Sequence, residues 1–260
     1  MTKLIHLHNE HHLGDSVFNF ILFYNIKDYL KENDIVIFYY AQLNYLPQLK
    51  EFIPNSQVAL YEIAAKPENS LQLWICNKDI GYTHEPERRI GFNKFYINFF
   101  NTVLNILQFP IKLTRFYYED PDLLNRYEKL NVMCKNLDII IINSNPCSGQ
   151  FNYGEKNWCY CINKLNERYK IITTKKIENI LSTTDYNLTI KDIAALSTNV
   201  KVVISINTGV LPGLLNSITL TRVKKFYTFD NREFYTYPNF ERKKKLIDIT
   251  FDELDRYILD

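Results

Sequence analysis

The sequence predicts an α/β protein of two successive units, each a parallel sheet covered by helices. Short apolar or alternating segments of strand length recur between amphipathic segments of helix length, the pattern of β–α–β chains. The alternation restarts near residue 136, after two consecutive helical segments, which divides the chain into 1–135 and 136–260. The segment Val200–Ile206 (VKVVISI) is a β-branched run suited to a strand buried on both faces. At 260 residues the chain is long enough for two domains with cores of their own.

Taken in order, Lys3–His8 (KLIHLH) alternates as a first strand, and a polar turn leads to a helix over Asp15–Leu30 with Asp15 or Ser16 as its N-cap. Strands at Ile35–Tyr39, Gln57–Tyr61 and Leu71–Cys76 follow, with a helix near Leu43–Phe52. Gly91–Leu107 is aromatic and helical in pattern, stopped by Pro110, and Pro121–Cys134 is a further helix; both are expected to close the first domain. The second unit reads as strand Asp138–Ile142, helix Asn157–Glu167, strand Tyr169–Thr173, helix Thr189–Ser197, strand Val200–Ile206, helix Val210–Asn216 and strand Lys225–Phe229. A short amphipathic helix, Phe251–Leu259, ends the chain.

Composition excludes several classes. The charges nearly balance, 31 Lys+Arg against 29 Asp+Glu, so no overall field draws the protein to nucleic acid. The basic cluster Arg242–Lys245 reads as a solvated face. Five scattered cysteines without CxxC spacing argue against a disulfide framework and a structural zinc site, and point to a reducing compartment. No apolar run reaches the ~18 residues of a membrane span, so a soluble, cytoplasmic protein is expected; a peripheral membrane contact and the oligomeric state are left open.

Two stretches are placed for chemistry. In Thr184–Asn216 the β-branched strand runs into Asn207-Thr208-Gly209 and an expected helix, an arrangement whose unpaired N–H groups favour an anion. At the end of the first strand lies His11-His12-Leu13-Gly14-Asp15, where a carboxylate can accept a proton from a substrate hydroxyl; Asp15 as a plain helix cap is the alternative. His6 and His8 share a strand face while His11 and His12 sit in the turn, and no acidic or cysteine spacing completes a shell, so no metal is expected. The loop Asn143–Trp158 carries Ser148, Gly149 and Gln150 ahead of Lys156, a lysine at a helix entrance suited to a diphosphate. The Walker P-loop, GxGxxG and G-x-S-x-G motifs are missing. The one Asp-x-Asp, Asp120-Pro121-Asp122, reads as a helix start.

In order and spacing, His12-Leu13-Gly14-Asp15, Glu155-Lys156-Asn157-Trp158 and Leu188–Leu196 leading to Ile206-Asn207-Thr208-Gly209 resemble the heptosyltransferase-type family of glycosyltransferases. The resemblance implies the GT-B architecture: two Rossmann-like domains facing a cleft, acceptor on the first and nucleotide-sugar donor on the second. It implies Asp15 as general base, Lys156 as a contact to the donor phosphates and Thr208 and Gly209 as a backbone cradle. Ser148, Gln150, Asp185 and Asn207 are counted with the nucleotide-sugar side, and His11 and His12 with the acceptor side. The partners implied are a nucleotide-sugar and a glycan acceptor, with no cofactor. Two positions depart from the family: Asn207 stands where Asp is usual, and Val210-Leu211-Pro212-Gly213 lacks the histidine common there. The chain is also shorter than a typical member, which implies a trimmed acceptor domain. The reaction expected is metal-independent, inverting glycosyl transfer to a hydroxyl acceptor. The alternative is a non-catalytic nucleotide-sugar or glycan-binding protein of the same fold.

Overall fold

The computed structural model describes residues 2–80, 92–145, 155–229, 241–243 and 255–256. The chain divides into two units, Met1–Glu119 and Asp120–Asp260.

In the first unit, β1 (Lys3–His8), α1 (Leu13–Glu32), β2 (Ile35–Ala41), α2 (Leu46–Lys50), β3 (Val58–Glu62), β4 (Leu71–Gln72) and α3 (Phe92–Ile106) follow one another. The four strands are parallel in the order β3-β2-β1-β4. Helix α1 is buried almost all round from Ser16 to Phe23, as expected of a helix enclosed by its unit rather than laid on its surface. Phe20 and Phe23 meet Tyr39 of the sheet edge-on, and Phe18 stacks on Tyr96 of α3 and on Phe116. Much of the aromatic content is spent on this core.

Three elements differ from expectation for identifiable reasons. Helix α1 starts at Leu13, with His12 at the cap position and no side-chain cap; Asp15 lies inside the first turn and is not the N-cap. The Asn9 side chain accepts the His11 N–H at 2.7 Å and folds the loop back early, so the helical ladder begins with Ser16 N–H to the His12 carbonyl. The helix expected over Leu43–Phe52 splits into a 3-10 turn, Leu43–Tyr45, and α2, whose first turn contains Pro47. The expected strand Leu71–Cys76 pairs only through Leu71 and Gln72. Side-chain amides end it: Asn9 and Asn19 both donate to the Leu73 carbonyl, and Asn77 to that of Gln72.

The second unit contains α4 (Asp122–Asn131), β5 (Ile139–Ile142), α5 (Glu155–Asn166), β6 (Ile171–Thr173), β7 (Leu181–Ser182), α6 (Ile190–Ser197), β8 (Val202–Ile206), α7 (Ser217–Arg222), β9 (Lys225–Phe229) and β10 (Glu241–Lys243). Its six strands are parallel in the order β10-β9-β8-β5-β6-β7. Counted from β5, this is the doubly wound 3-2-1-4-5-6 order, with the reversal between β5 and β8. Ile139–Ile142 and Val202–Ile206 are buried throughout, which explains their continuous rather than alternating apolar pattern. Trp158, Ile162 and Leu165 of α5 share a core cluster with Ile139, Ile204 and Phe229.

Helix α4, expected to close the first unit, belongs to the second. Its start is held to α6 by a buried ion pair between Asp120 and Lys191, and Arg126 donates to Asp192 at 2.6 Å. Strands β7 and β10 and helix α7 were not foreseen; they are two, three and six residues long, below what periodicity resolves. Of the expected final helix only residues 255–256 are described, and they are helical. Among the described residues no helix is long and apolar enough to cross a membrane.

Candidate functional site

Open α/β sheets gather ligands at the carboxyl ends of their strands, where the strand order reverses and adjacent loops diverge. In the second unit that point lies between β5 and β8. Beyond β5, Asn143 is buried; its side chain accepts the Lys175 N–H at 2.8 Å and donates to the Lys175 carbonyl at 3.1 Å. Thr174 Oγ1 accepts the N–H groups of Asn143 and Ser144, both at 3.0 Å. These bonds tie the loop after β5 to the loop after β6. Ser148 and Gln150 lie outside the described residues. Lys156 is exposed in the first turn of α5 and makes no hydrogen bond or ion pair with a described residue, whereas its neighbour Glu155 is paired with Lys175.

Beyond β8, Asn207 is buried and donates its N–H to the Phe229 carbonyl at 3.1 Å, which fixes the strand end. The helix expected over Val210–Asn216 is a four-residue 3-10 turn, Leu211–Leu214, with Pro212 in it and N–H bonds reaching back three residues. So short a turn sums too few peptide dipoles to attract an anion by itself. What remains is local: Val210 N–H turns to Thr208 Oγ1 at 3.4 Å and Leu211 N–H to the Thr208 carbonyl, while the amides of Thr208 and Gly209 have no acceptor among the described residues. Asp185 is engaged elsewhere. It accepts from Lys176 Nζ at 2.6 Å and from the Ser182 N–H at 3.0 Å, capping the 3-10 turn Thr183–Tyr186, and these bonds hold its carboxyl below the usual carboxylate range. A hollow lined by Ile139, Tyr169, Lys201 and Lys224 opens at the opposite edge, by the N-terminal ends of β5, β8 and β9, away from the reversal.

In the first unit the order reverses between β1 and β4. Asn9, fully buried one residue beyond β1, joins the two loops: its Oδ1 accepts the His11 N–H and its Nδ2 donates to the Leu73 carbonyl at 3.2 Å. His11 packs on the half-exposed Trp74 ring, centroids 3.8 Å apart, and the Gln72 amide approaches His11 Nε2 at 3.4 Å. Burial, then the neighbouring His12, lowers the pKa of His11. Asp15 is half-buried in the first turn of α1, and His12 is exposed beside it. Burial raises the Tyr39 phenol, with a smaller push from the charge of Asp15, so Tyr39 stays protonated where Asn19 donates to it at 2.9 Å. The other histidines have separate partners: His6 Nδ1 meets the Tyr40 hydroxyl at 2.9 Å, and His8 Nδ1 meets Ser70 Oγ at 2.9 Å.

Neither a family model nor a curated protein matches the sequence. Solved structures do match it. E. coli heptosyltransferase WaaC with ADP aligns at a TM-score of 0.61 and 10% identity, over 98% of this chain and 97% of that one. WaaC with ADP-2-deoxy-2-fluoro heptose aligns at 0.63 and 9% identity, over 98% and 99%. A glycosyl transferase family 9 protein from Veillonella parvula aligns at 0.57 and 10% identity, over 99% and 97%. The chain has the GT-B fold of the heptosyltransferases. The resemblance read from the short motifs therefore holds at the level of architecture. The alignment runs over nearly the whole of those chains as well as of this one.

The GT-B frame brings Asn207, Thr208 and Gly209 to the strand-order reversal of the second unit and puts Lys156 on the helix that follows the partner strand, β5. It brings His11, His12 and Asp15 to the reversal of the first. Asp185 is turned to Lys176 instead. Residues that motif reading missed are Asn9, Gln72, Trp74 and Thr174. An asparagine just past a strand end was the available signal for Asn9; the others act through partners distant in sequence.

Proposed function

We propose that the protein transfers a sugar from a nucleotide-sugar donor to a hydroxyl acceptor, with inversion and without a metal. The observation that carries this reading is the strand-order reversal of the second unit, with Asn207-Thr208-Gly209 after one flanking strand and Lys156 on the helix after the other. An ammonium group and two unspent amides are donors suited to the charge that builds on a departing diphosphate. Asp15 takes the proton of the acceptor hydroxyl as the anomeric carbon gains oxocarbenium-like charge. The Asp120-Pro121-Asp122 sequence does not offer a free metal site: Asp120 pairs with buried Lys191 and accepts the Asp122 N–H at 3.1 Å.

The WaaC structures carry ADP and an ADP-heptose analogue, which makes ADP the first nucleotide to test. A ligand held only by the native state, at a hundred times its Kd, adds about 2.7 kcal/mol. For a unit of this size that raises Tm by roughly 8 °C. Lys156→Ala is expected to weaken the nucleotide by ~10-fold, the scale of one hydrogen bond to a charged group. If no nucleoside diphosphate moves Tm, or if Lys156→Ala leaves the calorimetric affinity unchanged, the donor reading fails. Nucleotide binding without product from any labelled nucleotide-sugar would favour a non-catalytic binding protein, a reading that Asn207 in place of Asp supports.

A further inference from the structure

The first unit spends buried polar groups on placing one aromatic ring. Asn9 and Asn19 are both buried, and both donate to the Leu73 carbonyl, at 3.2 and 3.0 Å. The Leu73 N–H donates to the His8 carbonyl at 2.7 Å, and the Asn77 N–H to the Trp74 carbonyl at 2.8 Å. Trp74 is thereby anchored on both sides at the end of a strand that these bonds cut short. Asn9 fixes the partner of the stack as well, because its other side-chain atom holds the His11 N–H. Two desolvated amides are costly in a core unless fully bonded, and here they set the position of a half-exposed indole at the carboxyl edge of the sheet.

We infer that Trp74, backed by His11, is a stacking subsite for a pyranose ring of the acceptor. This rests on the assignment of the acceptor to the first unit. The C–H groups on the apolar face of a pyranose carry partial positive charge and meet the negative π-face of an indole. The hydroxyls around the ring meet polar groups at the rim, for which Gln72 and the imidazole of His11 are at hand. Burial keeps His11 largely neutral near pH 7, so the ring next to Trp74 is a hydrogen-bonding group and not a cation. Because Trp74 is already anchored, little ordering entropy is lost when a sugar docks.

The chain has 2 tryptophans, and Trp158 is 1% exposed in the core of the second unit, so acrylamide quenching reports on Trp74. Full-length protein is titrated with methyl α-D-mannopyranoside, methyl β-D-glucopyranoside and, separately, ADP. The expected result is that at least one pyranoside removes the accessible component of quenching, and that Trp74→Phe has no such component to remove. Asp15→Asn keeps the protection while losing turnover, so failure of the base and failure of the subsite are read apart. Equal quenching with and without both pyranosides, or protection by ADP alone, overturns the inference; the second outcome would identify the indole as a nucleobase platform.

Discussion

The ion pair between Lys191 and Asp120 is buried on both sides, with side chains 5% and 8% exposed, and Asp120 also holds the Asp122 N–H at the start of α4. Lys191→Met keeps the length of the side chain and removes its charge, leaving a carboxylate in the core. Breaking a buried pair this way costs about 3–5 kcal/mol. The loss expected for the single variant at pH 7 is ~4 kcal/mol. For a unit of this size, that loss lowers Tm by roughly 12 °C. Urea unfolding followed through Trp158, in a Trp74→Phe background, reads the second unit alone. The double variant Lys191→Met/Asp120→Asn is expected to recover most of the stability, because no charge is left unpaired. A single-variant loss below ~1 kcal/mol at pH 7, or a double variant no more stable than the single one, would refute the reasoning. It would then release the sole Asp-x-Asp from its structural role.

Asp15→Asn is expected to lower turnover by ~10²-fold or more, the scale of a lost general base, with nucleotide affinity retained; normal turnover in the purified variant would remove Asp15 from the chemistry. For pH dependence, burial and then the charge of Lys66 lower His8, and burial and then His12 lower His11. Between the folded pKa and the unfolded value of 6.5, the unfolded chain binds more protons than the native one, so stability rises with pH. The contribution of these groups is complete above 6.5 and is lost as pH falls below it toward the lowered native values. Thermal melts of the first unit should thus weaken between pH 7 and pH 5, and His8→Gln should flatten that slope; an unchanged slope would mean that the proton uptake lies elsewhere.

Much of the frame was legible because it is local. The strands Lys3–His8 and Lys225–Phe229 fall at their expected limits, since alternation in the first and aromatic density in the second suffice over five or six residues to specify them. The Thr189 cap of α6 is written within four residues, and the structure closes it as a capping box with Asp192. Burial acts to raise the Asp192 carboxyl, but hydrogen bonds from Arg126 and Thr189 outweigh it and hold it low. The candidate segments at Asp15, Lys156 and Asn207–Gly209 were also readable, because a chain that alternates strand and helix must bring the residues after each strand to one edge.

What the sequence by itself determined, then, is most of the longer elements, the parallel α/β class and the residues that follow the longer strands. The tertiary structure decided how those pieces are used. It set the strand orders, and with them which two loops flank each reversal. It assigned α4 to the second unit through two ion pairs whose partners lie more than sixty residues away. It shortened β4 by sending Asn9 and Asn19 to a carbonyl 64 and 54 residues distant, and in doing so placed Trp74. It turned Asp185 to Lys176 and reduced the expected helix after Gly209 to one 3-10 turn. The physical reason is the same throughout: propensity acts within a few residues, whereas a buried donor or charge takes whatever partner the packed fold brings within reach.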